Sequence, residues 1–128
     1  VAALNYAVET NQPRWFAHAE AANTFEERLA RLAEYYLSRH HRDRRGSGCV
    51  IAALAGEISE ASASLKAGYA ITIEQTIQKI SGGHAERFAD SAVFLSSVTG
   101  ALNLARNTSH KRTSDRILKS VISHFGEG

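Results

Sequence analysis

The chain has little cysteine, little net charge and no long apolar run, and each shortage excludes something. Its single cysteine, Cys49, has no second thiol with which to form an internal disulfide or a CxxC redox pair. A reducing, cytoplasmic compartment is therefore the default expectation. The formal net charge is only +2 across 128 residues, so the molecule as a whole is not built as a nucleic-acid binder. No apolar stretch reads as long enough to span a bilayer, and no partnership with a membrane is expected. Val1 opens no basic segment followed by an apolar core, as a signal peptide would. HxxxH, HExxH and paired CxxC patterns are missing, and His18, His84, His110 and His124 are scattered. No metal site and no cofactor are expected.

What is present is amphipathic helix. The length fits one domain, and 44% of residues are apolar, ordinary for a globular core. Leu4, Val8, Asn11 and Trp15 share a face at helical spacing, interrupted by the only proline, Pro13. Helical composition resumes at Trp15 and runs to about Ala22. Val1 begins this pattern without a cap, as if mid-helix, so the chain reads as a piece of a longer protein. Thr24 and Glu27 form a capping box, followed by a stripe of Phe25, Leu29, Leu32 and Tyr36 that ends near Ser38 or Arg39.

A polar loop, Arg39–Gly48, leads to a short helix over about Cys49–Ser59. The loop concentrates Arg39, His40, His41, Arg42, Arg44 and Arg45. These read either as solvated charge at a helix C-terminus or as an anion site, and no aromatic side chain interleaves them as in single-strand binders. Cys49 at the following helix start reads either as a small buried space-filler or as an activated thiol.

A fourth helix carries Leu65, Tyr69, Ile73, Thr76, Ile77 and Ile80, and Gly82-Gly83 ends it. The fifth, about Ala85–Asn107, is apolar far around its circumference. The sixth is expected to be capped by Thr113 or Ser114, with a stripe of Ile117, Leu118, Val121, Ile122 and Phe125. No strand signal competes. The expected fold is all-α: about six helices in an antiparallel bundle.

The last two helices hold more apolar surface than one small core needs. A homodimer follows as the expectation, with these helices and their copies forming a four-helix interface through Val93, Ser97, Gly100, Ala101, Leu104, Ile117 and Val121. Bulky or soft side chains on the inward stripes give candidate ligand-lining residues: Trp15, Phe16, Tyr36, Cys49, Tyr69, Ile73 and Phe94. Among them, Tyr36, Tyr69 and Cys49 add polar handles to an apolar setting.

Several segments resemble a known family. Tyr35-Tyr36-Leu37-Ser38, the polar loop, Gly46-Ser47-Gly48-Cys49 and Ala52-Ala53-Leu54-Ala55 are similar to the C-terminal effector domain of TetR/AcrR-family transcriptional regulators. Val98-Thr99-Gly100-Ala101-Leu102-Asn103-Leu104-Ala105-Arg106 resembles that family's penultimate helix, and Ser114-Asp115-Arg116-Ile117-Leu118 the start of its last. The resemblance implies a homodimeric domain that binds a small apolar or amphipathic molecule and shifts its first helix, here Leu4–Trp15 with Pro13 as the flexible point. It implies that Val1 lies inside the linking helix, and that operator DNA is reached only through an N-terminal helix-turn-helix absent from this chain. No enzymatic activity is expected. The competing readings are a small thiol-dependent, peroxidase-like enzyme using Cys49 and a stand-alone helical ligand-binding domain; neither positioned acid–base pairs nor a second cysteine favours the enzyme.

Overall fold

The computed structural model describes residues 14–38 and 62–126. Over these residues the chain is all-α, with no strand. Beyond a helical turn at 14–17, four α-helices are defined: α1 (Phe25–Tyr36), α2 (Ala63–Ile80), α3 (Phe88–Asn107) and α4 (Lys111–Gly126). A single 3-10 turn, Ala85–Arg87, leads into α3. The face of Leu4 and Val8, the bend at Pro13, the Arg39–Gly48 loop and the Cys49–Ser59 helix lie outside the described residues.

The first helical turn stops sooner than its composition predicts. After residue 17 the backbone tightens into i→i−3 bonds, with the amides of Ala19, Glu20 and Ala22 donating to the carbonyls of Phe16, Ala17 and Ala19. Thr24 is extended (φ −128°, ψ 162°) because it caps α1, so the chain must leave helical geometry before it. The Glu27 amide donates to Thr24 Oγ1 at 3.0 Å, as the capping box requires. The return bond runs one residue further back than expected: the Asn23 amide donates to Glu27 Oε2 at 3.1 Å. α1 then buries Leu29, Leu32, Ala33 and Tyr36 on one stripe and ends at Tyr36, two or three residues before the expected terminus near Ser38 or Arg39.

Ser62 caps α2, accepting from the Leu65 amide at 3.3 Å. The inward side of α2 includes two threonines, Thr72 and Thr76. Their hydroxyls donate to the carbonyls of Gly68 (3.0 Å) and Thr72 (2.7 Å), which lets polar side chains enter an apolar face without an orphaned donor. Gly82 (φ 64°) and Gly83 (φ 82°) terminate the helix in the left-handed region, where a side chain is strained.

α3 is the centre of the bundle. It packs against α2 on one side and α4 on another, and α1 lies mainly on α4. One core runs through all four helices, from Trp15 and Leu32 through Ile77 and Ile80 to Phe94, Val98, Leu102 and Leu118. The stretch Ala85–Asn107 is also long and apolar enough to cross a membrane by length and composition, at a mean hydropathy of 1.2. The sequence reading expects no such stretch, and α3 with its leading turn is one. The side bearing Phe94, Leu95, Val98 and Leu102 is packed inside the bundle, the arrangement by which a core helix meets the same criterion.

The start of α4 departs from the expected cap. The helix begins at Lys111, so Ser114 lies within it, and the Ser114 amide donates to the His110 carbonyl at 2.9 Å. The buried Ser114 hydroxyl donates to the Ala105 carbonyl at 2.7 Å, tying the first turn of α4 to the last turn of α3. A serine that reads locally as a cap is thus a clasp between helices.

Candidate functional site

Two regions gather the residues that the sequence singles out. The first is an aromatic cluster where the 14–17 turn meets α1. Trp15 is 3% exposed, and its indole Nε1 donates to the Leu32 carbonyl at 3.0 Å. Its ring centroid lies 4.8 Å from Phe16 and 4.9 Å from Tyr36, each pair tilted by 40°. These spacings are within the range in which aromatic rings attract beyond simple burial. His18 stacks obliquely on Tyr35 at 5.4 Å beside this group.

The cluster is anchored by an arginine. Arg28 reaches from α1 to the end of α2, where Nε donates to the Ile80 carbonyl (3.1 Å) and Nη2 to the Lys79 carbonyl (2.7 Å). Terminal helix carbonyls lack intrahelical donors, and a cation there also meets the negative end of the helix dipole. Burial holds the Arg28 guanidinium below its ordinary value; nearby Glu20 opposes the shift and Arg87 adds to it. The same guanidinium carbon stands 5.9 Å from the Phe16 ring centroid. Arg87 is engaged in turn with the Phe25 ring, at 4.7 Å.

The structure sets Trp15 against both Phe16 and Tyr36. Tyr69 is buried on α2 in the same core, and Ile73 packs at its margin. Phe94 is fully buried and meets Phe125 edge-on, with centroids 4.8 Å apart. Cys49 lies outside the described residues. Among the described residues, no group of three or more histidine, cysteine, aspartate or glutamate side chains is placed to hold a metal ion.

The second region is the outer face of α3. Val93 and Leu104 are each 63% exposed, about three turns apart on one side of the helix. Ser97 is half-buried and Gly100 exposed between them. A Cβ placed on Gly100 would meet no atom within 4 Å, so the space above it is open. Ser96 and Ser97 turn their hydroxyls back to the carbonyls of Ala92 and Val93, both at 2.8 Å. Their donors are satisfied within the helix, and the face they offer is small and largely apolar.

The other expected interface residues sit differently. Ala101 is 4% exposed and belongs to the core, so it does not extend this face. Ile117 and Val121 are half-buried and pack against the core. Their stripe is shared out because α4 packs against α1 as well as α3. The outer side of α4 carries exposed Arg112, Arg116, Lys119 and Ser120. Among the described residues of the last two helices, the exposed large apolar side chains are Phe88, Val93 and Leu104, all on α3.

Sequence reasoning missed three polar links. Arg28 gave no local sign of its reach across 52 positions to Ile80. Ser81 and Ser91, hydroxyl to hydroxyl at 2.7 Å in the core, join the turn after α2 to α3. Ser114, which reads locally as a cap, bonds instead to Ala105 on α3. The signal that could have found the serines is their position on apolar faces of otherwise core-facing helices. Comparison of the chain with protein-family models, curated proteins and solved structures gives no match.

Proposed function

We propose that this chain is a homodimerising, effector-binding helical domain of a transcriptional regulator of the TetR/AcrR type. The reading rests first on the exposed face of α3. A helix central to its own bundle still presents Val93 and Leu104 to solvent around Gly100, with the intervening serines internally satisfied. Such a face has the small, apolar character of contacts between identical subunits.

The effector is a small apolar or amphipathic molecule, received in the core to which the 14–17 turn, α1 and α2 all contribute. Trp15, Phe16, Tyr36, Tyr69 and Ile73 supply aromatic and aliphatic surface there, and Phe94 supports it from α3. The turn bearing Trp15 follows the segment that would lead to a DNA-reading domain. A molecule with different affinity for two positions of that turn would shift their populations, and with them the spacing of the two DNA-reading heads. Contact with operator DNA belongs to the domain preceding this one, and this chain carries no catalytic role.

Native mass spectrometry of the purified chain tests the reading. A dimer carrying a small organic adduct, lost on Trp15→Ala with the dimer retained, is the expected result. A monomer without adduct contradicts it.

A further inference from the structure

The charge of the chain is nearly balanced in total but unevenly placed. Lysines and arginines number 15 against 13 acids. Four of those cations, Lys111, Arg112, Arg116 and Lys119, fall within the first nine residues of α4, and all four are exposed. The helix has one acid, Asp115, which is half-buried. α4 alone thus carries a net +3 where the whole chain carries +2. Among the described residues, none of the four cations takes part in an ion pair. At about 100° per residue, Arg112, Arg116 and Lys119 lie within an arc of about 60°. They form a row about 10 Å long, by about 1.5 Å of rise per residue.

From this row we infer that the exposed side of α4 docks on the phosphate backbone of duplex nucleic acid, without regard to sequence, through Arg112, Arg116 and Lys119 with Lys111 at one end. One strand of a duplex presents a phosphate about every 3.4 Å of its axis, so the row faces about three of them. Two of its three members are arginines, whose planar fork matches a phosphate. A bilayer surface suits the helix less well. Its apolar stripe, Ile117, Leu118, Val121, Ile122 and Phe125, is spent on the core, which leaves no apolar face to enter the headgroup boundary. A single strand suits it less well too, because no aromatic side chain stands among the cations for bases to stack on. The inference goes beyond the effector-binding homodimer and does not depend on it: backbone contact by α4 needs neither a second copy nor an effector, and it is separate from the operator reading assigned to the preceding domain.

Fluorescence anisotropy of the 128-residue chain with labelled duplexes of about 20 base pairs, in two unrelated sequences, tests the inference. The expected result is binding of both duplexes with affinities within about twofold of each other, falling about 100-fold between about 50 and about 200 mM salt, as neutralising about four phosphates requires. A chain with Arg112→Gln, Arg116→Gln and Lys119→Gln should bind about tenfold or more weakly at low salt, with a salt slope smaller by about 3 and unchanged circular dichroism. A second triple variant, Arg14→Gln, Lys66→Gln and Lys79→Gln, removes the same charge from exposed positions elsewhere and should bind nearly as the parent does. Equal loss in the two triple variants overturns the assignment to α4. Absence of binding at about 50 mM salt overturns the inference outright. Tighter binding to vesicles rich in phosphatidylserine, or to the single strand of the same length, overturns the choice of a duplex.

Discussion

Arg28 donates from Nε to the carbonyl of Ile80 at 3.1 Å, joining α1 to the end of a helix 52 positions away. Its second bond, to the Lys79 carbonyl, makes the contact a fork. The turn after Ile80 contains both left-handed glycines, and its Ser81 continues to Ser91 on α3. This one side chain therefore helps fix the relation of α1, α2 and α3. Arg28→Met is expected to lower unfolding free energy by about 1–2 kcal/mol, reduced from a fully buried charged bond because the group is partly exposed. Arg28→Lys should recover only part of the loss, because an ammonium cannot reproduce the planar fork. Urea unfolding followed by circular dichroism measures both.

The buried Ser81–Ser91 pair gives a coupled prediction. Ser81→Ala or Ser91→Ala alone leaves the other hydroxyl in the core without its observed partner. Each single change should cost about 1–3 kcal/mol, and the double variant clearly less than their sum. A thermodynamic cycle from four urea titrations reads the difference, and strict additivity would show that the hydroxyls do not interact.

Glu27 predicts a pH dependence. The Asn23 amide, and after it the Arg31 side chain, hold its carboxyl below the ordinary value of 4.5. The unfolded chain regains the ordinary value, so the unfolded state binds the proton more tightly. The stabilisation is therefore complete above pH about 4.5 and is lost as pH falls through the lowered folded-state value. Thermal unfolding of Glu27→Gln should show a lower Tm than the parent at pH 7, with the gap narrowing as pH drops below 4.5. A gap that stays constant down to pH 2.5, well beyond the usual carboxylate range, would contradict the assignment.

Trp15 is the sole tryptophan, so its fluorescence reports on one place. Buried at 3% exposure, it should emit at short wavelength in the native state and shift to the red on unfolding. Trp15→Phe keeps most of the packing but deletes the indole bond to Leu32, at an expected cost of about 1 kcal/mol. Stability from urea titration checks the cost, and coincidence of the fluorescence and circular dichroism transitions checks that the cluster unfolds with the bundle.

Much of the fold was legible because its signals are local. Thr24 with Glu27 and Gly82-Gly83 mark helix ends through bonds made within a few residues, whereas the cap at Ser62 was not read from the sequence. The stripes on α1 and α2 announced their buried sides in the same way. What the stripes do not carry is the identity of the neighbour. Ile117 and Val121 read as surplus apolar surface until α1 is seen to share α4 with α3. Ala101 reads as one more small residue beside Gly100, and only the rotation of α3 in the bundle sends it into the core. Ser114 has the right type and position for a cap, yet its bond is to Ala105 on another helix. At the candidate site, Trp15 and Tyr36 each lie on a stripe readable in the sequence, and they meet in the core, whereas the reach of Arg28 is long-range and left no trace in spacing.

Gly100 separates the monomer from the dimer. A methyl group there meets nothing in the single chain, and alanine favours helix over glycine by up to about 1 kcal/mol. Gly100→Ala should therefore raise the Tm of the dilute, monomeric chain. On the homodimer reading the same methyl stands in the face that meets the second copy, so it should weaken association at least fivefold. Differential scanning fluorimetry at low concentration, with sedimentation at high concentration, checks the two halves separately.

The most direct test of the central claim is sedimentation equilibrium of the chain beside its Leu104→Glu variant. Leu104 is exposed at 63%, so a carboxylate there leaves the fold of the single chain intact. The account predicts a parent mass of twice 13.9 kDa and a variant mass of 13.9 kDa, with unchanged helix content. Equal masses for parent and variant, whether both monomeric or both dimeric, would contradict the assignment of this face.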